Sequence, residues 1–426
     1  MEKLEYRETV RAIERRGIMP LEAPSLEKMR VGIARLNPSL ELDPRKIIVV
    51  AGTNGKGSVC ASLEALLLDA GCKVGLYTSP HLEEITERIR INGEDISQEE
   101  FCSTYSRVAE ITADLCLSHF EILTLMAVWV FYSKQNSRSL DWGLFEVGLG
   151  GLWDATNAIP HHHCVITSLG LDHQNLLGNS LQEIAWNKFG IVGQGSTVIH
   201  TPFVEEIRPL ADQVKNATRS TWIPSIPFQH SILQNRAEPR TLLTTRWGQF
   251  PLALMGARAA ENSALALTVF HQLGFNPADH LETLLKVRWP GRMEKIRPSS
   301  DQQAAIYLSG DHNVPGVRSL IELLSHYSWE RLYLICGIGK DKESDPMLEL
   351  LFSIRNAELF LTETPFKGHT LPEYGPWLQK ASEALADPIA CFEAANKKAG
   401  KSDLILVTGS LYLVGLLRKH IQAAIS

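Results

Sequence analysis

Residues 47–62 read IIVVAGTNGKGSVCAS, an order of residues that few folds accommodate. The apolar, mostly β-branched run predicts a strand, and the spacing of Ala61, Leu63, Leu66 and Leu67 predicts a helix soon after the glycines. Glycines let successive backbone N–H groups converge on one point without Cβ clashes, a helix N-terminus adds a partial positive charge, and Lys56 adds a full one. The loop is therefore suited to phosphate, and a nucleoside triphosphate is the expected ligand. Its spacing is a variant of the common GxxxxGK[ST] loop: Lys56 follows Gly52 by four positions, and the hydroxyl of Ser58 comes after Gly57.

At 426 residues the chain exceeds what one hydrophobic core normally supports, so two domains are expected. A net charge of -6 carries no polyanion-binding signature, and nucleic acid is not an expected partner. Seven cysteines, scattered and without a CxxC pair, point to reduced thiols in a cytoplasmic protein rather than to disulfides or zinc. The charged N-terminus lacks an apolar signal core. The longest apolar run, residues 122–132, is broken by Thr124 and falls short of the roughly 20 residues that span a bilayer. It reads as a buried helix, so no membrane partner is expected.

Helical patterns in residues 1–40 flank a turn-rich stretch, with an ordered loop expected at residues 19–24. Three further strands are expected: residues 73–78, leading into Ser79-Pro80-His81; residues 142–147, carrying Glu146 into GLGGLWDATN; and residues 164–169, leading to Asp172 and His173. In a parallel sheet these ends share one edge, where ligands bind. Glu146 ends an apolar strand and needs a partner; beside a phosphate loop, Mg²⁺ suits it, with Ser79 and His173 nearby as candidates. Lys188, on a helix over residues 180–191, is either a surface lysine or a candidate for carbamylation by CO₂. The run His161-His162-His163 reads as an exposed loop.

Residues 216–256 suggest short antiparallel strands, and helices are expected over 258–273 and 277–287. Trp289-Pro290-Gly291-Arg292 breaks the pattern, giving domains at 1–292 and 293–426. The second is a smaller α/β unit with strands at 304–308, 331–336, 357–361 and 404–407, and helices near 315–326, 346–354, 372–386 and 410–424. Cys336-Gly337-Ile338-Gly339 lacks the third glycine of a dinucleotide fingerprint and reads as a turn.

Taken together, VAGTNGKGSV, YTSPHL, ERIRINGEDIS, FEILT, EVGLGG with DATN, SLGLDH, NKFGI, WPGRME and VTGSLYLVG resemble, in order, the dihydrofolate synthase/folylpolyglutamate synthase branch of the Mur ligase superfamily. The resemblance implies an N-terminal P-loop ATPase domain with a parallel sheet and a Rossmann-like C-terminal α/β domain. It implies ATP-dependent addition of L-glutamate to dihydropteroate, reduced folate or both, by a monomeric enzyme acting on small molecules. By position it assigns Asn54, Gly55, Lys56, Gly57, Ser58, Asn262, Arg292 and Asp311 to the nucleotide. Ser79, Glu146 and His173 fall at magnesium positions, with two Mg²⁺ sites expected, and Lys188 at that of a carbamylated lysine; Lys56, His173 and Lys188 are the implied catalytic residues. Phe120, Glu121, Trp153, Asp154 and Ala155 fall near the pterin.

The chain departs from that pattern at Leu152 (usually Arg), Asn187 (usually Glu), Arg258-Ala259 (usually His-Gln) and Ser309-Gly310-Asp311-His312-Asn313, where the acid is displaced along the strand end. These changes spare the phosphate and metal groups and fall on substrate and nucleotide-trimming positions. Two other readings stand beside the first: a Mur-type ligase for a different acid and amine, and a nucleotide-binding relative that no longer ligates.

Overall fold

The computed structural model describes residues 2–17, 25–136, 139–233, 239–300 and 303–425, so the loop expected at 19–24 lies outside the described residues. The chain divides into two units, one of residues 1–228, 245–248 and 261–287, the other of residues 229–244, 249–260 and 288–426. Residues 229–244 and 249–260, which the sequence alone groups with the first domain, thus cluster with the second.

The first unit is built on an eight-stranded sheet. Its strands are β1 (Ile47–Ala51), β2 (Val74–Tyr77), β3 (Ile89–Ile91), β4 (Glu94–Asp95), β5 (Trp142–Glu146), β6 (His163–Ile166), β7 (Thr197–His200) and β8 (Thr221–Pro224). The order is β4-β3-β2-β5-β1-β6-β7-β8. Pairing is parallel from β2 through β8, with β3 and β4 an antiparallel margin. β1 lies in the middle and every residue of it is buried, as an all-apolar strand covered on both faces must be. The helices Lys56–Asp69 and His119–Tyr132 pack on this sheet. The second is buried throughout from Glu121 to Tyr132, which explains its unbroken apolar run.

Strands β9 (Gln229–Leu233), β10 (Arg240–Thr245) and β11 (Gly248–Pro251) make a separate three-stranded sheet, with β9 and β10 antiparallel. The second unit holds β12 (Glu294–Arg297), β13 (Ala305–Leu308), β14 (Leu332–Cys336), β15 (Ala357–Thr362), β16 (Glu383–Leu385) and β17 (Leu404–Thr408), in the order β12-β13-β17-β14-β15-β16. All pairs within this six-stranded sheet are parallel except β12 with β13.

Four local expectations are corrected. Residues 221–224 extend the main sheet in parallel rather than joining an antiparallel set. The helix expected over 277–287 is two short 3₁₀ turns, Pro277–Asp279 and Leu281–Leu285. Residues 372–386 are a 3₁₀ turn, a single helical turn and β16, because Gly375-Pro376 breaks the helical pattern. The histidine run is not an exposed loop: His163 opens β6, and both ring nitrogens of His161 meet backbone carbonyls, of Ile159 at 2.6 Å and Ile191 at 2.9 Å.

His163 packs edge-on against Trp142, and its buried Nδ1 has no hydrogen-bond partner. Burial pushes its pKa down from 6.5 to about 4, so the unfolded chain takes up the proton first as pH falls. The stability this neutral ring carries is present above about pH 6.5 and is lost on acidification towards 4. A His163→Phe variant should flatten the pH dependence of urea unfolding in that window by about 1 kcal/mol per pH unit, allowing for the ring's partial exposure. An unchanged slope would refute this assignment.

Candidate active site

The phosphate loop is held from both sides by its own sheet. Gly52 has φ +148°, and an added Cβ would lie 1.8 Å from Thr167 Oγ1, so only glycine fits between β1 and the segment following β6. Thr53 N–H donates to Ser168 O at 2.8 Å, and its hydroxyl donates to Gly170 O at 2.9 Å. Asn54 O accepts from Thr167 Oγ1 at 2.7 Å and Ser168 Oγ at 3.2 Å. Thr53 and Ser168 lie within the motifs VAGTNGKGSV and SLGLDH, but neither they nor Thr167 stood out in the sequence as anchors of the loop.

Gly55 is left-handed at φ +90° and caps the helix Lys56–Asp69 without a side-chain hydrogen bond. The first N–H groups of that helix, at Lys56, Gly57 and Ser58, therefore face the loop without a capping side chain, as an anion cradle needs. Lys56 Nζ donates to the carbonyls of Gly52 at 3.1 Å and Thr53 at 3.3 Å. Lys188, only 4 % exposed, also donates to Gly52 O, at 2.8 Å. The helix Leu181–Phe189 thus delivers Lys188 inward, which rules out a surface lysine. Asn262, on the helix Ala257–Gln272, closes on the loop: a Cβ at Gly55 would sit 2.3 Å from its Oδ1.

Glu146 is the last residue of β5 and 5 % exposed; its Oε2 accepts from the backbone N–H of Ser79 at 3.0 Å, across the cis Ser79-Pro80 turn after β2. The structure therefore joins these two metal candidates. His173 follows β6 in a left-handed conformation, with Nε2 3.9 Å from the Asp172 carboxylate. Among the described residues no group of three His, Cys, Asp or Glu side chains could hold a metal by itself. A buried carboxylate next to a serine residue fits Mg²⁺, which completes its shell with water and phosphate oxygens.

Phe120 lies against the glycines after β5; a Cβ at Gly148 would fall 2.6 Å from its ring. Its neighbour Glu121 closes a capping box with Ser118. Asp154 is buried and accepts from Leu149 N–H at 2.9 Å, Thr156 N–H at 3.0 Å and Thr156 Oγ1 at 2.6 Å; burial raises its pKa. Both carboxylates thus shape the loops around the site, while Ala155 is buried and Trp153 is exposed. In the second unit Arg292 donates to Gly310 O at 3.3 Å, beside Asp311, whose carboxylate accepts from Ser309 Oγ at 2.7 Å. The departure at Arg258 has a structural use, since its guanidinium donates to Pro315 O.

A side-chain-uncapped helix start with its lysine, next to a buried carboxylate at the rim of a parallel sheet, defines a phosphate-loop α/β protein. Residues 291–411 match the family described as Mur ligase, glutamate ligase domain. Dihydrofolate synthase/folylpolyglutamate synthase of Bacillus subtilis is 30 % identical over 424 residues, which cover 94 % of this chain and 95 % of the relative. The chain belongs to the dihydrofolate synthase/folylpolyglutamate synthase family of Mur-type ligases. Among solved structures, E. coli FolC in complex with DHPP and ADP superposes with a TM-score of 0.82 at 26 % identity, covering 98 % of both chains. A bifunctional folylpolyglutamate synthase/dihydrofolate synthase with Mn, AMPPNP and L-glutamate bound gives 0.79 at 28 % identity, covering 95 % of both.

Proposed function

We propose that this chain is an ATP-dependent amide ligase that adds L-glutamate to dihydropteroate, to reduced folate, or to both. The observation that carries the reading is the junction of an anion cradle, Lys56 and the buried Glu146 at one sheet edge. A carboxylate is a poor electrophile, so its oxygen first takes the γ-phosphoryl group of ATP, releasing ADP. The amine of glutamate then attacks the acyl phosphate, giving the amide and inorganic phosphate. Lys56 and the N–H groups at the helix start hold phosphate charge where it builds up, which is most of what phosphoryl transfer asks of a protein. Asn262 orders the loop through Gly55.

Ser79 and Glu146 would hold one Mg²⁺, and His173 with a carbamate on Lys188 a second. Bound there, magnesium supplies charge neutralisation on the phosphates. Residues 1–292 take ATP and the pterin, with Phe120, Glu121, Trp153, Asp154 and Ala155 about the latter; residues 293–426 take glutamate, and Arg292 and Asp311 are assigned to the nucleotide by their position in the motifs. The relatives' bound ADP, AMPPNP, Mn and L-glutamate support this reading. The seven free thiols suit an enzyme in a reducing cytoplasm.

The test is an assay of the purified chain with ATP, Mg²⁺, L-glutamate and either dihydropteroate or tetrahydrofolate. Phosphate release that needs both the acid and the amine, with a product heavier by one glutamyl residue, is expected. ATP hydrolysis indifferent to both would remove the ligase reading.

A further inference from the structure

Thr53 ties the phosphate loop to the segment after β6 with its backbone and its side chain together. Its N–H donates to Ser168 O at 2.8 Å. Its hydroxyl donates to Gly170 O at 2.9 Å and accepts from Gly170 N–H at 3.1 Å, while its carbonyl accepts from Lys56 Nζ at 3.3 Å. A hydroxyl can give one hydrogen bond and take others at once, so a single atom meets both backbone groups of Gly170. Thr53 is buried, where leaving such a pair unmade is costly.

From Gly170 the chain runs through Leu171 and Asp172 straight to His173. His173 N–H donates to Asp172 Oδ1 at 2.9 Å, and its left-handed backbone opens the short helix Gln174–Leu177, whose Leu176 and Leu177 N–H groups donate to His173 O at 2.9 and 3.0 Å. The stretch is thus held at its far end by its own local bonds and at its near end by Thr53. Thr167 and Ser168, by contrast, spend their hydroxyls on Asn54 O. One residue therefore touches Lys56 through its carbonyl and the His173 segment through its side chain.

We propose that Thr53 is a positioning residue for ligation: its hydroxyl fixes the segment Gly170–His173 against the phosphate loop, so that nucleotide phosphates at Lys56 and the divalent cation that His173 would hold bind with a coupled affinity. The proposal rests on the ligase reading and deepens it. Loss of a group that orients a metal ligand from behind typically weakens the metal by about ten- to a hundredfold. Coupling of this kind is reciprocal, so the cation tightens the nucleotide by the factor with which the nucleotide tightens the cation. Serine would keep the oxygen that does this; valine keeps the branched shape and loses both bonds to Gly170.

The experiment titrates the full chain with Mn²⁺ in the presence of AMPPNP and reads free Mn²⁺ by electron paramagnetic resonance. Thr53→Val should weaken Mn²⁺ about tenfold, and Thr53→Ser should stay within about twofold of the parent. In a His173→Ala background Thr53→Val should cost no more than about twofold, because the residue it acts through is already gone. A general loosening of the loop would cost the same in either background. With neither nucleotide nor metal present, the amide of Gly170 should exchange its hydrogen faster in Thr53→Val than in the parent or Thr53→Ser. Unchanged exchange, unchanged Mn²⁺ affinity in Thr53→Val, or an equal loss in both backgrounds overturns the proposal and leaves the ligase standing. A parent chain that binds no Mn²⁺ with AMPPNP removes the ligase reading, and the proposal with it.

Discussion

Replacing Lys56 by alanine should lower kcat for ATP-dependent ligation roughly a thousandfold, the loss seen when one preorganised charge-stabilising donor is removed from a reaction centre. Without nucleotide, Lys56 spends its ammonium on the carbonyls of Gly52 and Thr53, the two residues where β1 becomes the loop. Those bonds can be exchanged for phosphate oxygens by a small swing of a flexible side chain. They also leave little structural debt: the loop is separately anchored by Thr53, Thr167 and Ser168 and by the Lys188 bond. The variant should therefore unfold within a few degrees of the parent in a thermal melt. Its KM for ATP should rise less than its kcat falls, because γ-phosphoryl charge grows in the transition state. Lys56→Arg should restore little, since a planar guanidinium cannot replace a compact ammonium among glycines. Unaltered turnover in Lys56→Ala would mean that the loop binds phosphate without acting on it.

The parts legible in the sequence are those fixed by short-range physics. β1 and the helix Lys56–Asp69 follow from a β-branched run, glycines and an apolar helical stretch, and the fully buried helix His119–Tyr132 announces itself by having no polar face. The shared edge of β1, β2, β5 and β6 followed from the rule that parallel strands place their ends together. What was missed depends on partners distant in sequence. Thr221–Pro224 becomes a strand because β7 offers it a free edge, and Glu383–Leu385 because β15 does; neither segment states this alone. The helix Pro388–Lys398 did carry a local signal, Asp387 capping Ile389 N–H with proline at the first turn, but the expected helix at 372–386 obscured it. At the site, Lys56 and Glu146 stood out because glycines and a buried charge are unusual. Asn262 was placed only through the resemblance, since its contact with Gly55 joins residues far apart in the chain. Ser118 and Glu121 have the spacing of a capping box, but the sequence did not tell whether Glu121 or Asp154 caps a turn or meets a ligand, because the two kinds of carboxylate look alike there.

Lys188→Ala should reduce kcat by two to three orders of magnitude, and the loss should be partly reversed by short-chain carboxylates such as propionate. Lys188 is 4 % exposed and donates to Gly52 O at 2.8 Å, so its nitrogen already supports the phosphate loop. Carbamylation by CO₂ releases two protons to solvent, one from the ammonium and one as the N–C bond forms; the one N–H that is left can keep the bond to Gly52 O while the new carboxylate extends beyond it. A carbamate there would carry a negative charge that a neighbouring divalent cation would offset. Alanine removes both functions: the carbonyl of Gly52 loses a donor, at a cost of about 1–3 kcal/mol in stability, and the anion disappears. Lys188→Gln separates them, since an amide can donate to Gly52 O but supplies no charge. It should recover the melting temperature and not the rate. Propionate should raise the rate of Lys188→Ala in proportion to its occupancy and leave Lys188→Gln unaffected, whose side chain fills the space. Intact-mass measurement under ¹³C-bicarbonate should find one labelled carboxyl on the parent and none on either variant. If Lys188→Gln retained full activity, the nitrogen's grip on Gly52 would be the whole of its role, and the second magnesium site would have to be drawn without it.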